Sequence, residues 1–514
     1  MTTQSRRSFL TTAALAAAAL RLRAQAGGPA HATLVLSAAS QVEGPHMPED
    51  FVGLSYEVQQ LTEPDFFSPA NTGLIAAFKE LSSHGVLRLG GNTSEFGYWK
   101  PTPSSPEPAH PAIREVEGEP KAQYYSVTPE AIRNLAAFLK ATGWTCLYGI
   151  GMGTNTPERA ADEASYVAQT LGSSLQYFQI GNEVDLFGHH LRDPKTWSPK
   201  GYLDEWLAIA RAVAARVPSA RFGLPDVAAK VDWLPAIADL WPSVQNPPHV
   251  TTLSHHHYFG GPATNPNVNI PNLLKPETMQ KVQHTANESA AAASKMGVRI
   301  RMTEGNTCYR GGKPGVSDVF SAALWAADYS LLLASNNYSG INLHGGTGKS
   351  VANSVGGFLP GDVMLKEQGR SDAEIATHPH PFYTPIGTFG SDYKLQPVAQ
   401  GLKFAGEFSG ATFLKADLTA ALQASGVNAT AYAAKLPSGK LSLIVLNKDD
   451  ARDLALTVDF GAATAHRASV ELLTSPALDS RDAILTSDPR GLALRGGKLT
   501  LTVPHASGLR ITLR

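Results

Sequence analysis

Residues 175–183 read Leu-Gln-Tyr-Phe-Gln-Ile-Gly-Asn-Glu, a short, largely apolar run that delivers an Asn-Glu pair at its end. It is too short for a stable helix and shows no clean alternation, the pattern of a parallel strand buried on both faces. Amphipathic helical stretches flank it, Pro157–Leu171 before and Gly201–Val217 after. Proline opens the first of these and Gly172 closes it, the usual asymmetry of helix ends.

The same unit recurs along the chain. Strand candidates are Phe51–Val58, Val86–Gly90, Thr145–Gly149, Leu175–Ile180, Arg221–Leu224, Val250–Ser254, Val298–Met302 and Gly340–Leu343. Pro129–Thr142, Pro276–Met296 and Val319–Ser335 add to the helices between them. A run of strand–helix units of this length predicts an α/β fold, a closed (β/α)₈ barrel. The doubly wound alternative would more often carry a glycine-rich phosphate loop after its first strand. None follows Val58.

Beyond Gly410 the texture changes to alternating or apolar segments, such as Ala429–Leu436, Leu441–Leu446 and Leu454–Phe460, cut by Gly, Asp and Ser turns. That is an antiparallel β-sandwich, and Thr33–Ala38 reads as one strand added to it. The predicted organisation is a signal peptide over 1–26, a sandwich-joining segment over 27–48, the barrel over 49–410 and the sandwich over 411–514.

A chain of 514 residues exceeds one ordinary core, consistent with two domains. Lys+Arg number 43 against Asp+Glu 44, a net charge of -1, which excludes the basic surplus of a nucleic-acid binder. Ser5-Arg6-Arg7-Ser8-Phe9-Leu10 is a twin-arginine pattern. A short apolar run to Leu20 follows, with a small-residue cleavage site at Ala24-Gln25-Ala26. The expectation is export to the periplasm or medium, with no stable membrane insertion after cleavage. Cys146 and Cys308 are the only cysteines, read as buried free thiols with a single bridge as the alternative.

Chemistry in such a barrel sits at the carboxyl ends of the strands. Those ends read Glu57, Arg88 to Asn92, Asn182-Glu183, His255 to Tyr258, Thr303 to Asn306, and His344 to Gly346. Glu183 ends the fourth strand and Glu304 the seventh. Glycoside cleavage needs two such carboxyl groups about one bond, one protonated and one ionised. Arg88 reads as a buried partner that holds Glu304 or Asn182. In the His255-His256-His257 run, His255 and His257 share a strand face and invite a metal reading. Polar lining of a sugar cleft is the stronger one, so no metal and no cofactor is expected. Trp99 and Tyr258 lie near strand-end loops, where they could stack on sugars.

These motifs resemble the retaining barrel clan of glycosidases and, more closely, glycoside hydrolase family 79, which holds heparanase and bacterial β-glucuronidases. The stretches that carry the likeness are Leu87 to Phe96, Gln179 to Glu183, His256-His257-Tyr258, and Glu304 followed by Tyr309 and Gly311-Gly312. The resemblance implies Glu183 as acid/base, Asn182 on the sugar 2-hydroxyl, Glu304 as nucleophile and Glu57 as a hydroxyl binder. It implies Tyr309 and Tyr383 at the C6 carboxylate of a glucuronide. Asn92, His257, Tyr258 and Gly311 complete the expected binding set for a small glycoside or oligosaccharide. A neutral-sugar β-glucosidase or β-xylosidase of the same clan is the rival, and a non-catalytic carbohydrate-binding protein a further one. One departure stands out. Between Gly346 and Tyr383 lies a segment much longer than the family pattern, read as an irregular loop on the cleft rim that restricts the leaving group.

Overall fold

Strands apolar on both faces are stable only when both faces are covered, and a barrel ringed by helices covers them. The computed structural model describes residues 30–36, 42–116, 123–416, 418–461 and 465–514. Eight parallel strands close into a barrel: β1 (Val52–Glu57), β2 (Val86–Gly90), β3 (Thr145–Ile150), β4 (Leu175–Ile180), β5 (Phe222–Val227), β6 (Val250–Pro262), β7 (Arg299–Tyr309) and β8 (Tyr338–His344). The ring runs in chain order, and β8 pairs back onto β1 through Ile341–Val52 to His344–Ser55. Main helices follow each strand in turn: α1 (Thr72–Leu81), α2 (Pro129–Thr142), α3 (Pro157–Leu171), α4 (Pro199–Arg216), α5 (Trp233–Leu240), α6 (Pro276–Met296) and α7 (Phe320–Ser335). The side chains of Thr128, Thr156 and Ser198 cap α2, α3 and α4, each with proline in the first turn. Left-handed Gly143 and Gly297 end α2 and α6.

The sandwich packs a seven-stranded sheet, which includes Glu43–His46 and Thr412–Leu414, over a three-stranded one. Ala30–Val35 lies in the smaller sheet and pairs parallel with Leu454–Asp459, while the other pair there is antiparallel. An aliphatic core fills the space between, with Leu34, Leu443, Val445, Leu456 and Val458 buried. The opposite face of the large sheet meets the barrel across α7, whose residues are buried from Phe320 to Ala334. Between two apolar layers a helix is apolar all round, as the sequence of α7 is. Its one buried acid, Asp328, accepts from Thr430 and Tyr432 of the sheet at 2.8 Å each and is ion-paired with the buried Lys448. That pairing satisfies a carboxylate that would otherwise be costly at a dry interface.

The segment after Gly346 corrects the irregular-loop reading. It folds into three short helices, α8 (Gly348–Ser354), α9 (Pro360–Glu367) and α10 (Asp372–Ile375). Thr347 caps α8, Pro360 opens α9, and Ser371 with Glu374 forms a capping box on α10. Val351 and Leu359 pack on Tyr383, and Leu365 and Ile375 on Phe382. Helix α11 (Pro397–Gly406) then closes the ring against α7.

Cys146 and Cys308 are both buried and free. Among the described residues no helix is long and apolar enough to cross a membrane. The twin-arginine stretch lies outside the described residues.

Candidate active site

At the carboxyl end of the barrel, Glu183 and Glu304 face one another. One oxygen of each and a ring nitrogen of His256 lie within 4.8 Å of one another. The two carboxyls are held in different ways. Glu183 sits just past β4 in a left-handed conformation (φ 50°), and its N–H donates to the carbonyl of Asp226 at 2.9 Å. Such a backbone is uncommon for a non-glycine residue and clusters at functional sites. Its side chain has one charged partner, His256 Nδ1 at 3.1 Å. Burial pushes the Glu183 carboxyl up to about 7, against the pull of His256, and the nearby Glu304 adds to the rise.

Glu304 accepts from Arg88 Nη1 at 2.7 Å and from the Tyr258 hydroxyl at 2.7 Å, with His344 Nδ1 at 3.7 Å. Burial alone would raise its pKa, but His344, His256, Arg88 and Tyr258 together outweigh it and hold the carboxyl down at about 2. The two carboxyls are thus driven apart, Glu183 toward its protonated form and Glu304 toward its ionised form.

Beneath them lies a buried ion cluster. Arg88 Nη2 donates to Asp226 Oδ2 at 2.5 Å and to Asn182 Oδ1 at 2.7 Å. Asp226 also receives His256 Nε2 at 3.1 Å and the hydroxyl of Thr303. Burial would raise the Asp226 carboxyl, yet His256 and Arg88 hold it below the usual carboxylate range. Burial would discharge His256, yet Asp226 and Glu304 push it up to about 10. Two cations, Arg88 and His256, are thus matched by two anions, Asp226 and Glu304, when Glu183 is neutral. The spacing of Glu183, His256 and Glu304 would suit a metal ion, but His256 has a carboxylate on each ring nitrogen and is held protonated. It offers no lone pair to a metal.

The rest of the expected set divides. Asn182 donates from Nδ2 to Asn92 Oδ1 at 2.9 Å, and its backbone N–H donates to Glu95 Oε1 at 2.8 Å. Glu57 accepts from the N–H and hydroxyl of Thr93 at 3.1 and 2.6 Å and lies 3.4 Å from His344 Nε2. Tyr309 is 41% exposed on the rim, edge-on to Tyr258 with ring centroids 6.3 Å apart. Tyr383 is buried beside Tyr258, its carbonyl held by Asn306 at 2.9 Å. Gly311 (φ 87°) serves packing: its carbonyl accepts from Phe382 N–H at 2.8 Å, and a Cβ there would lie 2.7 Å from Leu359.

His257 is a correction. Successive strand side chains point to opposite faces. His256 and Tyr258 point to the mouth, so His257 turns outward onto Tyr329 of α7, with ring centroids 5.3 Å apart. His255 shares that outer face and meets the Tyr338 hydroxyl at 2.8 Å. Trp99 packs on Tyr166 of α3 at 5.0 Å between centroids. Two residues escaped the sequence reading. Asp226 did so because the strand was ended at Leu224, ahead of Pro225. Glu95 binds the N–H groups of Met152, Gly153 and Asn182 and so ties the ends of β3 and β4 together.

A barrel of this kind joined to a sandwich, with two unlike glutamates at its mouth, is an architecture shared with solved glycoside hydrolases. A 4-O-α-L-rhamnosyl-β-D-glucuronidase from Fusarium oxysporum superposes with TM-score 0.69 at 16% identity, covering 93% of this chain and 100% of that one. A family 51 α-L-arabinofuranosidase from Thermotoga petrophila gives 0.65 at 14% identity, covering 94% and 100%. In sequence the chain is similar to two curated proteins named β-glucuronidase. One, from Aspergillus niger, is 25% identical over 317 residues, 58% of this chain and 56% of the relative. The other, from Neurospora crassa, is 24% identical over 285 residues, 51% and 50%. The chain thus spans about half the length of the curated relatives it matches. No protein-family model matches it.

Proposed function

We propose that this chain is a retaining β-glucuronidase of the family 79 type, which hydrolyses a β-linked glucuronide from a chain end by double displacement. The observation that carries the reading is the unlike company of two facing glutamates: Glu304 accepts from Arg88 and Tyr258 at 2.7 Å each, whereas Glu183 has His256 alone at 3.1 Å. Glu304, ionised and aimed by Arg88 and Tyr258, attacks the anomeric carbon. Glu183 gives its proton to the departing oxygen and then, as carboxylate, takes one from the incoming water. Their separation, within 4.8 Å between facing oxygens, suits direct attack better than the roughly 6.5–9.5 Å that an inverting pair leaves for water. In this reading Asn182 and Glu57 bind ring hydroxyls, and Tyr309 and Tyr383 meet the C6 carboxylate.

The names of the two sequence relatives support the glucuronide, and the twin-arginine pattern supports export. A binding protein has no use for carboxyls held in opposite states. Nitrophenyl β-glucuronide, β-glucoside and β-xyloside separate the remaining readings. The glucuronide should have the highest kcat/KM by at least about tenfold, roughly 1.4 kcal/mol of transition-state binding. A higher value for the glucoside or xyloside would replace the uronate reading with the neutral-sugar one.

A further inference from the structure

One buried carboxylate at the barrel mouth has no part in the mechanism so far. Asp185, two residues past Glu183, is 2% exposed. Its Oδ1 accepts from the N–H of Ala228 at 2.8 Å, and its Oδ2 from the N–H groups of Ala229 and Lys230 at 3.0 and 2.9 Å. Among the described residues no cation pairs with it, and three successive backbone N–H groups stand in a cation's place. The Lys230 ammonium lies instead over the Trp233 ring, 5.9 Å from its centroid.

These bonds join the exits of two neighbouring strands where the acid stands. β5 ends at Val227, so Ala228 to Lys230 are the first residues beyond it. A further bond between the same exits runs the other way, from the Glu183 N–H to the Asp226 carbonyl at 2.9 Å. Glu183 (φ 50°) and Asp226 (φ 61°) are both left-handed without being glycine. Such backbones persist only where the surroundings over-determine them. On the β4 side the Trp197 indole donates to the Val184 carbonyl at 2.7 Å, and the Leu186 N–H to the Glu183 carbonyl at 2.8 Å. On the β5 side Asp185 holds the loop by its three N–H groups.

Asp185 also acts on the acid through its charge. Burial first, and after it Glu304 and Asp185, raise the Glu183 carboxyl, whereas His256 pulls it down. The groups about the acid are thus Glu304 from β7, His256 from β6 and Asp185 from its own loop. We propose that Asp185 is a positioning residue for the acid: it clamps the exit of β5 to that of β4 and so aims the Glu183 carboxyl at the departing oxygen. The proposal rests on the assignment of Glu183 as acid in the reading above, and not on the identity of the sugar. A negative charge with no cation beside it then also favours the protonated acid.

The test compares Asp185→Asn with the native enzyme on two glycosides of the sugar it cleaves best, one with a dinitrophenyl leaving group and one with a methyl group. Asparagine keeps the shape but presents one oxygen and one NH₂ group, so at least one N–H donor loses its acceptor. On the methyl glycoside kcat/KM should fall by about 30- to 100-fold, the scale of a misplacement of about 1 Å. On the dinitrophenyl glycoside, whose departure needs no proton, it should stay within about threefold. The alkaline limb of kcat/KM should move to lower pH, because without the Asp185 charge the Glu183 carboxylate forms more easily. In a Glu183→Gln background the same substitution should cost at most about twofold more, because the two residues act as a unit. Equal losses on the two glycosides, an unmoved limb or independent losses in the double variant would reduce Asp185 to a loop staple. Failure of the isosteric Asp185→Asn chain to fold, read by circular dichroism, would likewise assign the residue to stability alone. If Glu183→Ala itself shows no dependence on the leaving group, the acid assignment falls, and the role of Asp185 with it. If Glu183→Ala shows that dependence and Asp185→Asn does not, only the positioning role is overturned.

Discussion

The ends of β4 and β7 present the same residue in contrasting company. Glu183 is buried with a single hydrogen-bonded charged neighbour, His256, and burial pushes its carboxyl up to about 7. Glu304 is buried with Arg88, Tyr258 and His344 about it, and these with His256 hold its carboxyl down at about 2. Burial acts on both in the same direction, so the difference comes from the charges of His344, His256 and Arg88 about Glu304, with the Tyr258 hydrogen bond added. A carboxyl becomes an acid where the protein withholds donors and a nucleophile where it supplies them. Asp226 links the two ends, because it fixes the charge of His256 and the position of Arg88.

The contrast breaks most visibly at Glu304. Glu304→Ala should lower kcat by on the order of 10⁵–10⁶, the scale of losing a covalent nucleophile. Steady-state rates on nitrophenyl glucuronide check this, and a loss below about 10³ would mean that Glu304 is not attacked through. Glu183→Ala should cost about 10²–10⁴ with a poor leaving group such as an alkyl alcohol, and far less with dinitrophenol, which needs no proton. A loss independent of leaving-group pKa would remove Glu183 from the acid role.

The link between the two ends gives a smaller and more discriminating effect. Asp226→Asn should reduce kcat/KM by roughly 10²-fold through misplacement of Arg88 and His256. In the native enzyme kcat/KM should rise as Glu304 ionises and fall with an apparent pKa of about 7 as Glu183 loses its proton. The His256 cation lowers the Glu183 pKa. Without Asp226 that cation is weakened, so the alkaline limb should move to higher pH. An unmoved or lower limb would show that His256 does not tune the acid. Smallest of all, Tyr309→Phe should cost about 1.5 kcal/mol on a glucuronide and clearly less on a glucoside, the low end for a hydrogen bond to a charged group at an exposed site. Equal losses on the two sugars would confine Tyr309 to packing against Tyr258.

How far this was legible in the sequence depended on how locally each feature is encoded. The barrel strands are contiguous apolar runs, and Glu183 and Glu304 follow directly on two of them, so period and position placed both at the mouth. Arg88, charged in the middle of the apolar run Val86–Gly90, needs polar partners at that mouth, and it finds both Glu304 and Asn182 there. Asp226 was hidden because proline argues against a continuing strand, whereas β5 runs through Pro225 to Val227. Which histidine of 255–257 faces inward depends on the phase of the strand, and alternation groups His255 with His257 without saying which face is the inner one. The helices of the insertion did leave signals, Thr347 and Ser371 as caps and Pro360 at a first turn. The glycines and prolines between them outweighed those signals, because helices this short are stabilised by packing on Tyr383 and Phe382.

The assignment of unlike roles to like residues is tested most directly by the configuration of the first-formed sugar, read by proton NMR before mutarotation. Double displacement through Glu304 predicts that the β configuration is retained in the released glucuronyl unit. Release of the α anomer would mean that water attacks directly, and that Glu304 is a base rather than a nucleophile.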